Sequence, residues 1–372
     1  MKNKKGLTWL KKLGISLALL TVISLAATYF VGNYFVDYAL VPNQGGQDRQ
    51  VDQETKPGQT KSAVHEINAN KAQAKADAKA WLDQVGDKKE AVSIRSQDGL
   101  ALSGNLFHND SDQHKYALIV HGYQGQEADS YDIAPAFYQK GYQVLTISLR
   151  AHAPSQGQYI GMGYLDSQDL LQWVQWLIDR DSQAQIVLHG TSMGSATVLM
   201  ASDKLPAAVK AVVADCGYSS IWDIFASELD KRFNLPTFPV LYMANTMARL
   251  RAGYDLREGN TLEYVAQSSL PILFIHGAAD DFVPVSMAEN SMMLKPRGLR
   301  NFTSFLKLAM PKPSTKSPPL ITRRSSNLSK TMGMEIKNKK RILRKMKIGL
   351  VLSSNICYIT YNISERSRYN VT

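Results

Sequence analysis

The chain is short of two residue types that chemistry often recruits. Of its 372 residues only Cys216 and Cys357 are cysteines, far apart and without the spacing of a metal-ligating pair. Neither a disulfide framework nor a cysteine-bound metal is therefore expected. Histidine stops at His276, and nothing after it supplies an imidazole. Excess positive charge is also missing from most of the length. The net charge of +11 arises in residues 295–372, where eighteen Lys/Arg face two acids, and everything before them sums to −5. Basicity confined to a tail argues against nucleic-acid binding, which needs cationic groups gathered on a folded face.

What is present begins with Lys2, Lys4, Lys5, Lys11 and Lys12, followed by an uncharged stretch from Leu13 to Val36. Twenty-odd apolar residues suffice to cross a bilayer as a helix, and the lysines are expected to stay on the cytoplasmic side. The alternative is a signal peptide cut near Ala26 and Ala27. Its apolar core would run for only about 7–15 residues, whereas here the apolar run continues past those alanines. Residues 1–42 are expected to form a single-pass anchor in the cell membrane with the rest of the chain outside. Residues 43–88 read as a polar linker or stalk, with a helical pattern from Ile67 to Val85.

Beyond it, Ala91–Arg95 and Leu100–Phe107 flank the turn residues Asp98-Gly99, the pattern of a hairpin at a sheet edge. Apolar runs at Tyr116–Val120, Gln143–Ser148, Gln185–Leu188, Val209–Ala214 and Pro271–Ile275 alternate with helical segments near Tyr131–Lys140, Asp166–Ile178 and Ser195–Asp203. That alternation predicts an α/β fold with a mostly parallel, doubly wound sheet over residues 89–294. Ligands in such sheets bind beyond the carboxyl ends of the strands.

The chemistry-bearing motifs fall at those ends. Gly190-Thr191-Ser192-Met193-Gly194 lies between a strand and a helix, the setting of a nucleophile elbow with Ser192 exposed at its tip. His121-Gly122-Tyr123 closes an earlier strand, where the backbone N–H groups of Tyr123 and Met193 are the natural pair of oxyanion donors. His121 itself reads equally well as a satisfied strand-end histidine. Asp280 follows the last strand, placed to orient a histidine base; a turn-forming aspartate is the plainer reading of the same residue.

Through these residues, together with Arg150-Ala151-His152, Asp215-Cys216-Gly217-Tyr218, His276-Gly277 and Val283-Pro284, the chain resembles the α/β-hydrolase superfamily. Within it, the similarity is to membrane-anchored bacterial cell-surface hydrolases of the serine aminopeptidase-like and Bem46-like branches. The resemblance implies Ser192 as nucleophile, Asp280 as triad acid, no cofactor or metal, and a small-molecule ester or peptide substrate. It also implies a small helical cap at about 218–265. The usual Arg-Gly-His-Gly is Arg150-Ala151-His152-Ala153 here, which bears on the shape of that loop. Tyr218, Trp222, Phe225, Phe233 and Tyr242 are candidates to line an apolar pocket or simply to fill the core.

The resemblance also implies a triad histidine near Met310, and none is there. Residues 295–372 are rich in proline, basic residues and Ser/Asn clusters instead of the expected closing elements. A frameshift near Leu294 or Lys295 accounts for both facts. Reading each codon from the last base of one residue and the first two of the next, Met310-Pro311 must give alanine. The two shifted codons before it permit Gly and then His, so Gly-His-Ala is allowed at the expected place. The same frame permits a closing helix after Thr315 and a stop where Ile336 meets Lys337. The competing readings are a functional basic tail, expected to be poorly ordered, and a second membrane segment at Ile348–Ile359, which is too short for a standard span. Without its histidine the hydrolase is expected to be impaired; a non-catalytic surface-binding or scaffold protein that keeps the fold is the alternative.

Overall fold

Alternating apolar residues across the Asp98-Gly99 turn pair strand β1 (Lys89–Arg95) with β2 (Ala101–Phe107) in antiparallel register, Val92 opposite Gly104. Gly99 takes the left-handed backbone that the turn demands, φ 87°. This computed structural model of the chain describes residues 2–44, 61–111, 114–277, 280, 282–294, 304–308, 348–353 and 356–361.

Ahead of the hairpin lie helix α1 (Lys2–Leu40) and helix α2 (Lys61–Val85). After it come β3 (Lys115–Val120), α3 (Ala134–Tyr138), β4 (Gln143–Ile147), α4 (Tyr164–Arg180), β5 (Gln185–Thr191), α5 (Met193–Ala201) and β6 (Val209–Asp215). Helices α6 (Ile221–Phe233), α7 (Thr237–Arg251) and α8 (Thr261–Gln267) lead to β7 (Ile272–Gly277), α9 (Val285–Met293) and β8 (Ser304–Leu308). The eight strands form one sheet in the order β1-β2-β4-β3-β5-β6-β7-β8, with β3 to β8 parallel. The carboxyl ends of β5, β7 and β8 therefore share one edge.

The sheet runs past residue 294, since β8 lies in the segment assigned to the tail. Two further strands, β9 (Ile348–Ser353) and β10 (Ile356–Tyr361), pair with each other over the stretch considered as a second span.

Both faces of the sheet are covered, which is why the central strands read as unbroken apolar runs. On one face α2 contributes Ala78, Trp81 and Val85, with the Trp81 ring 4.7 Å from that of Phe107. The second half of the supposed linker is thus packed against the domain. The other face holds α4, α5 and the cap helices α6 and α7, with Trp173, Leu188 and Ile221 fully buried. The Ser220 hydroxyl caps α6 by accepting from Asp223 N–H at 2.9 Å. Pro236 precedes α7, where a missing N–H costs nothing.

Residues Lys11–Leu40 of α1 form a helix long and apolar enough to cross a membrane. Its final turns do something else. Val36 and Leu40 are buried against the cap, and Arg251 of α7 reaches Asn33 at 2.7 Å and pairs with Asp37. Ile160 N–H donates to the Leu40 carbonyl at 2.8 Å. What reads as the end of an anchor is built into the α/β domain.

Candidate active site

Ser192 occupies the sharp turn between β5 and α5 with φ 56° and ψ −115°, a backbone conformation that L-residues rarely hold. The flanking glycines make that turn possible. A side chain at Gly190 would meet the Gly194 carbonyl oxygen at 2.1 Å, and one at Gly194 would meet that of Val120 at 2.3 Å. Ser192 N–H donates to the Asp215 carbonyl at 2.8 Å, tying the elbow to the end of β6. Met193 is the first residue of α5, so its N–H has no intrahelical acceptor and is presented at a helix N-terminus.

The loop after β3 sits against this turn: a Cβ on Gly122 would stand 3.3 Å from the Cβ of Ser192. Two histidines hold the loop. His121 accepts from Leu149 N–H through Nε2 at 3.1 Å and contacts the Gly122 carbonyl through Nδ1 at 2.8 Å, which requires the proton on Nδ1. His152 repeats the arrangement, accepting from Gln124 N–H through Nε2 and reaching the Arg150 carbonyl through Nδ1. Burial, with His152 adjacent, pushes the His121 pKa down to about 4, and burial also lowers that of His152. Both rings are neutral, and each has its one lone pair engaged. The plainer reading of His121 holds, and it serves the loop that carries Tyr123.

Asp280 lies beyond β7. Its Oδ1 accepts from the N–H groups of Phe282 and Val283 at 3.0 and 2.9 Å, and its Oδ2 stands 3.6 Å from His276 Nε2. His276 is fully buried and bonds the Val283 carbonyl at 2.7 Å, bracing the acid loop. Its Nδ1 has no partner among the described residues. No hydrogen bond joins His121, His152 or His276 to Ser192 among the described residues. Met310 lies outside them, two positions after the end of β8.

The fold brings Gly122 against Ser192 and sets Asp215 and Asp280 near the Cys216 thiol. Asp215 is the group that sequence reasoning passed over. Burial and the nearby charge of Asp280 push its carboxyl up to about 7, and burial followed by the two carboxylates raises the Cys216 thiol well above its ordinary range. The one signal in the sequence was the position of Asp215 at the end of the strand beside the elbow. A thiol so disfavoured as thiolate is not a nucleophile.

The aromatic candidates divide. Tyr218 is core, its hydroxyl donating to the Met162 carbonyl at 2.8 Å. Phe225 and Phe233 line an apolar cavity shared with Phe35, Val36 and Leu40 of α1. Trp222 and Tyr242 instead form an outer cluster, both under the Arg257 guanidinium. Ala151 takes φ 60°, which explains why glycine is usual there, and the loop is held by Arg150 bonding Asp169 through two atoms at 2.7 Å each.

This sheet order, with a strained serine turn after the fifth strand and an acid after the seventh, defines the chain's fold as an α/β-hydrolase fold. Residues 118–239 match the family model described as alpha/beta hydrolase fold. The chain is 31% identical over 183 residues to the uncharacterised protein YqkD of Bacillus subtilis, covering 49% of this chain and 60% of that one. An uncharacterised Mycobacterium tuberculosis protein is 24% identical over 200 residues, 53% of this chain and 64% of its own length. The chain thus spans less than two thirds of the curated relatives it matches. Among solved structures, the Pyrococcus furiosus esterase Pf2001 superimposes with a TM-score of 0.50 at 20% identity, over 71% of this chain and 93% of that one.

Proposed function

We propose that this chain derives from a membrane-anchored serine hydrolase that cleaves ester, or alternatively amide, bonds through an acyl-enzyme on Ser192. The observation that carries the proposal is the strained elbow: φ 56° at a non-glycine residue is maintained only where the surroundings over-determine it, and it lifts the Ser192 hydroxyl to the loop of Gly122 and Tyr123. Ser192 Oγ attacks the acyl carbonyl carbon, and the oxyanion takes hydrogen bonds from Tyr123 and Met193 N–H, each worth about 3 kcal/mol in the transition state. The alkoxide or amine leaves with a proton, and water then deacylates Ser192.

That proton needs a base. With none after His276, the chain as translated retains the oxyanion donors and binding alone, which leaves a rate of roughly 10³–10⁴ over water. We attribute the gap to a frameshift near Leu294. β8 ends at Leu308, two positions before Met310, and its carboxyl end shares the sheet edge of β5 and β7, which supports this account. Residues 2–12 supply the cytoplasmic lysines, α1 the span, and the α/β domain stands outside the cell.

A fluorophosphonate probe and p-nitrophenyl ester turnover test the reading. Labelling that disappears in Ser192→Ala, with turnover rising by orders of magnitude when the shifted frame is restored, is the expected result. A folded chain with restored frame that neither labels nor turns over would leave a non-catalytic binding protein. An uninterrupted single frame in several isolates would remove the frameshift.

A further inference from the structure

The packing of α1 on α7 sets the height of the cap relative to a membrane. Gly32 makes the closest approach: a Cβ there would stand 2.5 Å from the Met243 carbonyl oxygen and 2.5 Å from Met247 Cγ. Four to eight residues further along α7, Arg251 reaches Asn33 and Asp37, and its guanidinium lies 5.5 Å from the ring of Tyr159, next to the Ile160 that bonds Leu40. Moving from Gly32 to Asp37 along α1 therefore moves from Met243 to Arg251 along α7. The two helices run in the same direction. With a rise of about 1.5 Å per residue, Tyr242 is level with about the turn before Gly32, and Phe238, whose backbone is non-helical at the kink that opens α7, packs against Tyr242.

That level falls within the apolar stretch of α1. Leu13 to Phe30 present exposed apolar side chains to the surroundings, and a hydrocarbon layer of about 30 Å takes about twenty helical residues. The beginning of α7 stands beside the last of those turns, and its outer surface is apolar: Phe238 is 72% exposed and Tyr242 45%, with Leu235 just ahead of the helix also exposed. Their rings touch, 5.4 Å between centroids, and Trp222 packs against Tyr242. On α1, exposed Tyr29, Phe30 and Tyr34 occupy the same height. Aromatic side chains gathered at one level on two adjacent helices are the arrangement that a membrane–water interface favours.

We propose that the cap is seated in the outer leaflet, with Leu235, Phe238 and Tyr242 inserted among lipid headgroups and upper acyl chains beside the anchor. The occupant of this apolar face is lipid, because α1 carries it to that depth. The proposal rests on α1 spanning the bilayer. It also sets the domain on the membrane surface, within reach of substrates that partition there, in place of a domain free on a tether.

The test uses the full chain reconstituted in phosphatidylcholine vesicles, in which Phe238→Trp adds an emitter at an already exposed position. A companion variant, Leu25→Trp, adds one inside the span. The expected result is that the emission Phe238→Trp adds over the parent is shifted to the blue and loses most of its intensity when the vesicles contain lipid brominated near the headgroup end of the acyl chain. Quenching of Leu25→Trp by brominated lipid, with Phe238→Trp unaffected by it and quenched instead by acrylamide from the aqueous phase, would overturn the seated cap while leaving the span intact. Failure of lipid to quench either emitter would overturn both the span and the seating.

Discussion

The hydroxyl of Tyr123 donates a hydrogen bond of 2.7 Å to the carbonyl of Ala39, joining the loop beside Ser192 to the last turn of α1. Eighty-four positions separate the two residues in sequence. A carbonyl near a helix C-terminus has no intrahelical partner, so a tyrosine hydroxyl from another element satisfies it. Tyr123→Phe should cost about 1 kcal/mol, a fall of about 2–4 °C in melting temperature for a domain of this size. Differential scanning fluorimetry of the full chain in detergent measures it, and an unchanged melting temperature would mean that the end of α1 is not fixed to the loop.

Two glycines near Ser192 should respond differently to the same change. Gly194→Ala forces a methyl to 2.3 Å from the Val120 carbonyl oxygen, an overpacking that should cost about 3 kcal/mol or more. Gly122→Ala meets nothing closer than 3.3 Å, so its stability should stay within about 1 kcal/mol of the parent. Its methyl would nevertheless stand 3.9 Å from Ser192 Oγ, where the proposed reaction brings the acyl carbon. In a chain carrying the proposed restored frame, its fluorophosphonate labelling rate should fall at least about tenfold. Equal labelling of Gly122→Ala and parent would show that substrate does not approach from that side.

Asp215 gives the protein a pH dependence of definite sign. Its folded pKa of about 7 lies above the ordinary value of 3.8, so between these values the folded state holds the proton more often than the unfolded one. Stability from this group therefore falls as pH rises from about 4 to about 7 and is level above that. Asp215→Asn removes the dependence. The variant should gain on the parent by about 1–3 kcal/mol at pH 8 and lose that advantage near pH 4, as read from denaturant midpoints at several pH values. A constant difference across the range would show that Asp215 is not protonated in the folded chain at neutral pH.

Arg150 joins Asp169 and Asp98, and burial drives the Asp169 and Asp166 carboxyls up to about 6 despite its presence. Arg150→Met leaves these acids without their cation and should cost about 3–5 kcal/mol. Pairing it with Asp169→Leu should recover part of the loss, and additive losses in the double variant would show that the two side chains act independently.

Much of this was visible in the sequence because short-range rules govern it. Strand and helix runs followed the apolar pattern, the hairpin followed Asp98-Gly99, and the elbow was marked by glycines whose closeness to Val120 and Gly194 backbone leaves no space for a side chain. The shape of the Arg150–Ala153 loop was left open, and the left-handed Ala151 is its local reason. The docking of α1 left a faint trace too: Gly32, Asn33 and Asp37 interrupt an apolar helix on one face. The division of the cap aromatics left none, since the same residue types serve a core, a cavity wall or an outer cluster.

The sequence by itself determined the alternation of strands and helices from β1 to β7, the glycine-flanked turn at Ser192, the apolar stretch of α1 and the absence of a late histidine, because each is a property of neighbouring residues or of composition. Only the tertiary structure decided that His121 and His152 are neutral braces with their lone pairs used, that the Asp215 carboxyl is pushed up to about 7, and that Ala39 is bonded to Tyr123. Those outcomes depend on burial and on partners distant in the chain. Protonation and hydrogen bonding respond to the groups within a few ångströms, and no local pattern records which groups those will be.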